Sequence, residues 1–122
     1  MAIETHRDLE LWKRALDLAT ATYQLTRTFP ADERFGLSQQ LRRAAVSVAS
    51  NIAEGAGRGT ARDFIRFLHI ARGSLAEWET QIEIARRCQI PGPYDDIERL
   101  ARNVGQMLNA LIRSLSRNAS YS

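Results

Sequence analysis

Seven apolar residues recur at intervals of three and four in the middle of this chain. They are Phe64, Phe67, Ala71, Leu75, Trp78, Ile82 and Ala85. This spacing places all seven on one face of an α-helix, and such a face is stable only when other elements cover it. The pattern therefore predicts a long amphipathic helix over about 61–88 that needs helical partners.

Those partners are present in the sequence. Three further segments show the same spacing of apolar residues: about 7–29, 33–54 and 95–117. A breaker separates each pair, because Pro30, the glycines after position 54 and Pro91-Gly92-Pro93 all oppose helix continuation. No alternation typical of strands occurs. Short connections between helices of similar length favour an all-α, up-down-up-down four-helix bundle, formed as one domain by residues 1–122.

The ends of these helices carry capping residues. We expect Asp32, Thr60 and Asp95 to act as N-caps of the last three helices. At the end of the second helix we expect Gly55 or Gly57 to take the left-handed conformation.

The first helix has two apolar edges rather than one. One edge contains Leu11, Leu18 and Leu25, at heptad spacing. The other is formed by Leu9, Trp12, Leu16, Ala19, Tyr23 and Thr26. A helix in a bundle needs one edge for the core, so the second is available to a neighbouring molecule.

Bulk composition is that of a soluble globular protein, with 44% apolar and 25% charged residues. The single cysteine, Cys88, excludes an intramolecular disulfide, and neither a signal peptide nor a membrane span is recognisable. We expect a cytoplasmic protein that does not associate with membranes.

Catalytic and cofactor motifs are missing. Gly55, Gly57 and Gly59 follow a helix rather than a strand, and no lysine accompanies them, which argues against a nucleotide-binding loop. His6, His69 and Cys88 lack ligand spacing, so we predict no metal, no cofactor and no catalytic residues. The remaining enzymatic hypothesis uses Glu54 with His69 and requires their side chains to converge in one pocket.

A polar stripe borders the apolar face of the second helix. At about 100° per residue, its members are Gln40, Arg43, Ser47, Asn51 and Glu54. In the third helix, Gly73-Ser74 interrupts the sequence, and His69, Gly73 and Glu77 share one face. Serine, asparagine and glycine are poor helix formers, so these positions favour a polar network between helices or between subunits over a merely solvated face.

Basic residues are almost all arginine, and they are unevenly distributed. Between Arg34 and Arg72 the chain carries Arg42, Arg43, Arg58, Arg62 and Arg66, opposed only by two acids, Glu54 and Asp63. Such segregation is compatible with a surface for a nucleic-acid backbone, although helical arginines are also commonly solvated or paired.

Several motifs resemble one known family. Leu41-Arg42-Arg43-Ala44-Ala45-Val46-Ser47-Val48, Asn51-Ile52-Ala53-Glu54-Gly55 with Arg58, and Ala71-Arg72-Gly73-Ser74-Leu75-Ala76-Glu77 resemble the bacterial four-helix bundle proteins encoded in 23S rRNA intervening sequences. The flanking Leu11-Trp12-Lys13-Arg14-Ala15 and Phe29-Pro30 through Glu33-Arg34-Phe35-Gly36-Leu37 also resemble that family. One departure is Ala49, where family sequences often carry proline.

The resemblance implies a ring-like homopentamer with no established catalytic residues. A related branch, the accessory variability proteins of diversity-generating retroelements, uses a basic pentameric barrel to bind nucleic acid and a reverse transcriptase. By this resemblance, the family motif and interface network comprises Arg43, Ser47, Asn51, Glu54, Gly55, Gly73, Ser74 and Glu77. The expected contacts to RNA or DNA phosphate are Arg42, Arg58, Arg62 and Arg66.

An alternative hypothesis is an oligomeric protein-protein adaptor, such as an accessory protein to a reverse transcriptase, that does not touch nucleic acid itself. In that case the arginines serve solubility and carboxylate pairing.

Overall fold

The computed structural model describes His6, residues 9–33 and the backbone of residues 36–119, with side chains through residue 117. Four α-helices account for most of it: α1 Glu10–Thr26, α2 Leu37–Ala56, α3 Ala61–Arg87 and α4 Tyr94–Ala119. A 3-10 turn, Ala31–Glu33, joins α1 to α2, and the described ranges contain no strand.

The helices form an up-down-up-down bundle. Each helix packs against its neighbours in sequence, α4 closes against α1, and α2 and α3 share the most extensive contact. The diagonal pairs make no close backbone approach. This arrangement confirms the predicted all-α class and topology.

The α1–α2 connection differs from the expectation. The helix predicted over 7–29 ends at Thr26, and residues 7 and 8 lie outside the described residues. Asp32 is not the N-cap of α2, because it lies inside the 3-10 turn. Instead the Glu33 Oε2 atom accepts a hydrogen bond from the Leu37 amide at 3.1 Å, so Glu33 satisfies one of the free N–H groups of the first turn.

Gly55 also has a different role from the one predicted. α2 continues through Ala56, Gly57 has an ordinary φ of −81°, and the left-handed residue is Gly59 at φ 86°. A Cβ atom at Gly55 would lie 2.7 Å from the Phe67 Cβ atom and 3.0 Å from the Phe64 Cδ1 atom. Glycine at position 55 therefore allows α2 and α3 to approach closely.

α3 is continuous over 27 residues, so Gly73-Ser74 does not interrupt it. A Cβ atom at Gly73 would meet nothing within 4 Å, which excludes close approach by another part of the described chain. Thr60 is confirmed as the N-cap, accepting a bond from the Asp63 amide at 3.2 Å. Asp95 is not an N-cap, because α4 already begins at Tyr94.

The core confirms the seven-residue face of α3, all of whose members are buried. At its centre the Trp78 Nε1–H group donates to the Thr22 Oγ1 atom at 3.0 Å, across the bundle diagonal. The Thr22 hydroxyl in turn donates to the Leu18 carbonyl at 2.7 Å. Both buried polar groups are thus satisfied, which a core position requires.

Candidate functional site

A polar network joins α2 to α3. The Ser47 and Ser74 hydroxyl oxygens lie 2.8 Å apart in a hydrogen bond whose donor is either serine. The Asn51 amide donates to the Ser47 carbonyl at 2.8 Å and to the Ser47 hydroxyl at 3.0 Å. Three motif residues from two helices are therefore held together by side-chain bonds.

A cavity of about 280 Å³ opens beside this network, and we call it the polar cavity. Its lining residues are Gln40, Arg43, Ala44, Ser47, Ser74, Glu77 and Gln81. Arg43 and Glu77 make no ion pair or hydrogen bond within the described part of the chain. The Gln81 Oε1 atom is buried there without a hydrogen-bond partner. The cavity thus presents unpaired groups of both charges, whereas the Gln81 oxygen has almost no accessible surface.

The sequence did not lead us to predict Gln81 as a residue of this site. Its spacing was available as a signal, because Gln81 follows Glu77 by four residues and Ser74 by seven on the same side of α3.

The rest of the predicted interface network is dispersed. Glu54 is exposed and forms an ion pair with Arg58 at 2.9 Å, one helical turn away. Gly55 is buried against α3, and Gly73 is open to solvent. Glu54 therefore belongs with the arginines at the end of α2 rather than with the polar cavity.

Three of the predicted phosphate-binding residues lie together at the α2–α3 turn. Arg58 and Arg66 place their guanidinium carbons 4.9 and 4.5 Å from the centroid of the Phe67 ring. Arg66 also lies 3.9 Å from Asp63. Arg62 is exposed and has no bonded partner among the described residues. We call Arg58, Arg62 and Arg66 the arginine patch.

Arg42 lies elsewhere. Its Nε–H group donates to the Thr26 hydroxyl at 2.8 Å, and its guanidinium stacks over the Tyr23 ring at 4.7 Å. Half-buried in this way, Arg42 links α2 to α1 and is separate from the arginine patch.

The second apolar edge of α1 is exposed only in part, because Leu16 and Tyr23 face solvent whereas Leu9 and Thr26 are buried. Leu16 is 39% and Tyr23 40% exposed, and Val46, one turn beyond Arg42 on α2, is 42% exposed. We call these three residues the apolar strip. Exposed large apolar side chains on two adjacent helices provide apolar area for an interaction surface.

Glu54 and His69 do not converge. Glu54 pairs with Arg58, whereas the His69 Nδ1 atom lies 2.9 Å from the Arg72 Nη2 atom. Arg72 also donates to the Asn109 Oδ1 atom of α4 at 3.0 Å, which places the histidine on the α4 side of α3. The geometry removes the basis for an enzyme that uses this pair.

Two further properties concern the described residues as a whole. No group of three or more His, Cys, Asp or Glu side chains among them could hold a metal ion. No helix among them is long and apolar enough to cross a membrane.

Comparison with solved structures shows the same fold in a bacterial protein. A crystal structure from Bacteroides thetaiotaomicron, described as a protein with unknown function from the S23 ribosomal protein family, superposes with a TM-score of 0.78. The two sequences are 24% identical, over 84% of this chain and 95% of the other. No curated protein matches the sequence.

A comparison with family profiles tests whether the motifs indicate the right family. The profile described as 23S rRNA-intervening sequence protein matches residues 7–110, which include the polar network, the arginine patch and the apolar strip. The expected family is thereby confirmed: the chain belongs to the 23S rRNA-intervening sequence protein family.

Proposed function

We propose that this protein is a non-enzymatic homo-oligomeric ring, a pentamer, that binds the phosphate backbone of RNA or DNA through the arginine patch. The observation that carries the proposal is the stacking of Arg58 and Arg66 on Phe67, with Arg62 exposed one turn before Arg66. Stacking on an aromatic ring orients a guanidinium group and leaves its N–H edge available for a phosphate oxygen.

Charge at this end of the bundle supports the same proposal. The patch has three positive charges against the two carboxylates of Glu54 and Asp63, and both ion pairs are solvent-exposed. Exposed pairs contribute only about 0–1 kcal/mol, so a phosphate can replace a carboxylate partner at little cost. Arg113 and Arg117, near the end of α4, lie at the same end of an up-down-up-down bundle.

The oligomer is supported by two different interaction surfaces on one chain. The apolar strip lies between α1 and α2, whereas the polar cavity and the Ser47–Asn51–Ser74 network lie between α2 and α3. Contact between two unlike surfaces is heterologous, and a heterologous contact that closes generates a ring. In this proposal the motif residues Arg43 and Glu77 lie in the subunit interface, and Glu54 lies beside the nucleic acid.

Salt-dependent binding tests the nucleic-acid part. We expect labelled structured RNA and duplex DNA to bind at about 50 mM salt and to bind much more weakly at about 200 mM, because counterions are released from each contacted phosphate. Replacing Arg58, Arg62 and Arg66 together by glutamine removes the contacts and should lower affinity at least tenfold while making the salt dependence shallower.

A matched control is available at the opposite end of the bundle. Arg27, Arg87 and Arg99 are exposed there, and their replacement by glutamine removes the same net charge. This control should retain most of the affinity and the salt slope. If both triple variants lose affinity equally, binding follows net charge and the patch has no special role.

The adaptor hypothesis predicts a different outcome. An intact oligomer that binds neither nucleic acid at low salt would overturn the phosphate-binding proposal and leave a protein-binding ring. Light scattering coupled to gel filtration gives the mass of the assembly, and a monomer at micromolar concentration would overturn the ring itself.

A further inference from the structure

We infer that the Tyr23 side chain of one copy enters the polar cavity of the next copy, where its hydroxyl donates a hydrogen bond to the Glu77 carboxylate. The inference rests on the proposed ring and specifies the contact that closes it.

The polar cavity is incomplete within a single chain. A charged group that an interface covers without a partner is destabilising. Arg43 and Glu77 flank the same space without pairing to each other or to another described residue. A group that supplies a hydrogen-bond donor and an aromatic face for the arginine would satisfy both demands.

Tyr23 has these properties. The large apolar side chains that are most exposed are Leu16, Tyr23, Val46, Ile70 and Ile84. Of these five, the tyrosine has a hydrogen-bond donor, and its hydroxyl makes no bond within the described chain. A cavity of about 280 Å³ has room for a phenol ring.

Tyr23 and the polar cavity also lie at the same level along the bundle axis. Arg42 stacks on Tyr23, which marks the height of that ring beside α2. The same part of α2, from Gln40 to Ser47, lines the polar cavity on its other side. A closed ring relates its subunits by rotation without translation along the axis. With the bundle axes along the ring axis, rotation therefore brings Tyr23 to the height of the neighbouring cavity.

A second pair of residues falls into register when Tyr23 is placed there. Leu16 lies seven residues before Tyr23 on α1, and Ile70 lies seven residues before Glu77 on α3. Both helices run in the same direction, and seven residues span about 10.5 Å in each. Leu16 of one copy thus faces Ile70 of the next, and these two exposed side chains, 39% and 42% accessible, cover one another.

The angle between the two surfaces favours closure into a small ring. They are adjacent sides of the bundle that share α2, so their outward directions differ by about 90° in a square bundle. Heterologous contact between such sides turns each subunit by about 90° relative to the last, which closes at four copies, or at five copies when the two outward directions differ by about 108°. Opposite sides would instead give an open filament.

A double-mutant cycle on assembly tests the hydrogen bond. Tyr23→Phe removes the donor and Glu77→Met removes the acceptor, while each keeps the approximate side-chain shape. We expect each single variant to weaken subunit association about tenfold, measured by sedimentation at a series of concentrations. The double variant should be no weaker than either single variant, because both remove the same bond. Gln106→Met, at an exposed position of α4, is the control and should change nothing.

Disulfide trapping tests the register independently of that bond. In a Cys88→Ala background, Leu16→Cys combined with Ile70→Cys should give a ladder of covalent oligomers under oxidising conditions. Leu16→Cys combined with Ile84→Cys should not, because Ile84 lies about 21 Å further along α3.

The outcomes separate the inference from the proposed function. A wild-type protein that is monomeric at all concentrations overturns both. A stable ring in which the two variants act additively, and in which the 16–70 pair forms no ladder, overturns this contact and leaves the ring and its arginine patch in place.

Discussion

Replacing glycine by alanine should stabilise the protein at one position inside a long helix and destabilise it at another. Gly55 and Gly73 both lie within α-helices, and alanine is preferred over glycine there by about 1 kcal/mol. At Gly73 a Cβ atom meets nothing within 4 Å, so this preference is realised in full. We expect Gly73→Ala to raise the free energy of unfolding by about 1 kcal/mol, or the Tm by about 3–5 °C for a domain of this size.

At Gly55 the same methyl group meets fixed atoms. It would lie 2.7 Å from the Phe67 Cβ atom, which is attached directly to the α3 backbone and cannot rotate away, and 3.3 Å from the Phe64 carbonyl oxygen. Overpacking of this kind costs about 1–3 kcal/mol, and the upper half of that range applies because the helices themselves must separate. After the gain in helix preference, Gly55→Ala should lower the free energy of unfolding by about 1–2 kcal/mol.

Urea denaturation of both variants, followed by far-ultraviolet circular dichroism, measures the difference directly. We expect midpoints on opposite sides of the wild type with unchanged slopes. The double variant should show the sum of the two effects, because nothing connects the sites. A Gly55→Ala protein as stable as the wild type would refute the idea that this glycine sets the distance between α2 and α3.

Three further predictions concern the core, a helix end and pH. Thr22→Val leaves the buried Trp78 N–H group without an acceptor and should lower the free energy of unfolding by about 1–3 kcal/mol. In a Trp78→Phe background the same change should cost clearly less, which a double-mutant cycle measured by thermal melts would show. Gln89 has φ 60° directly after α3, so Gln89→Gly should stabilise the protein by about 1 kcal/mol in denaturant titrations, and an unchanged midpoint would argue against strain there. Partial burial and, to a smaller extent, the negative charge of Glu98 raise the pKa of Glu79 above its ordinary value of 4.5. The charged form of Glu79 is therefore disfavoured in the folded state. The contribution of Glu79 to the free energy of unfolding therefore falls as the pH rises from its ordinary pKa through the raised one. Glu79→Gln should stabilise the protein at pH 7 but not at pH 4, and an equal gain in stability at both pH values would exclude the titration of Glu79 as the cause.

The bundle could be predicted because its main determinants are periodic. The seven positions from Phe64 to Ala85 repeat every three or four residues, and only a buried helical face explains that pattern over so long a run. The two edges of α1 were also visible. Periodicity defines which residues share an edge but not which edge meets the core, so the exposure of Leu16 and Tyr23 became known only from packing.

Errors arose where tertiary contacts outweighed local preference. Gly55 fits a helix C-terminus by local preference, yet its position is decided by Phe64 and Phe67, twelve or fewer residues away but on another helix. Asp32 is a good capping residue, but the 3-10 turn places Glu33 nearer to the free amides of α2.

The candidate site was predictable only in part for a similar reason. Ser47, Asn51 and Ser74 are unusual on a helix surface, and their poor helix preference indicated a network that the structure contains. Glutamine is common on solvated helices, so nothing in its residue type distinguishes Gln81. Its unsatisfied oxygen becomes visible only when two helices enclose it.

The direction of the helices gives the two ends of the bundle different chemistry. The arginine patch lies at the α2–α3 turn, the end at which α1 begins and α4 finishes. If subunits stand side by side in a ring, that end becomes one rim, and every copy adds its patch to the same rim. A long nucleic acid lying along the rim engages several weak sites at once, and its affinity then depends on their number and spacing more than on the strength of any one of them.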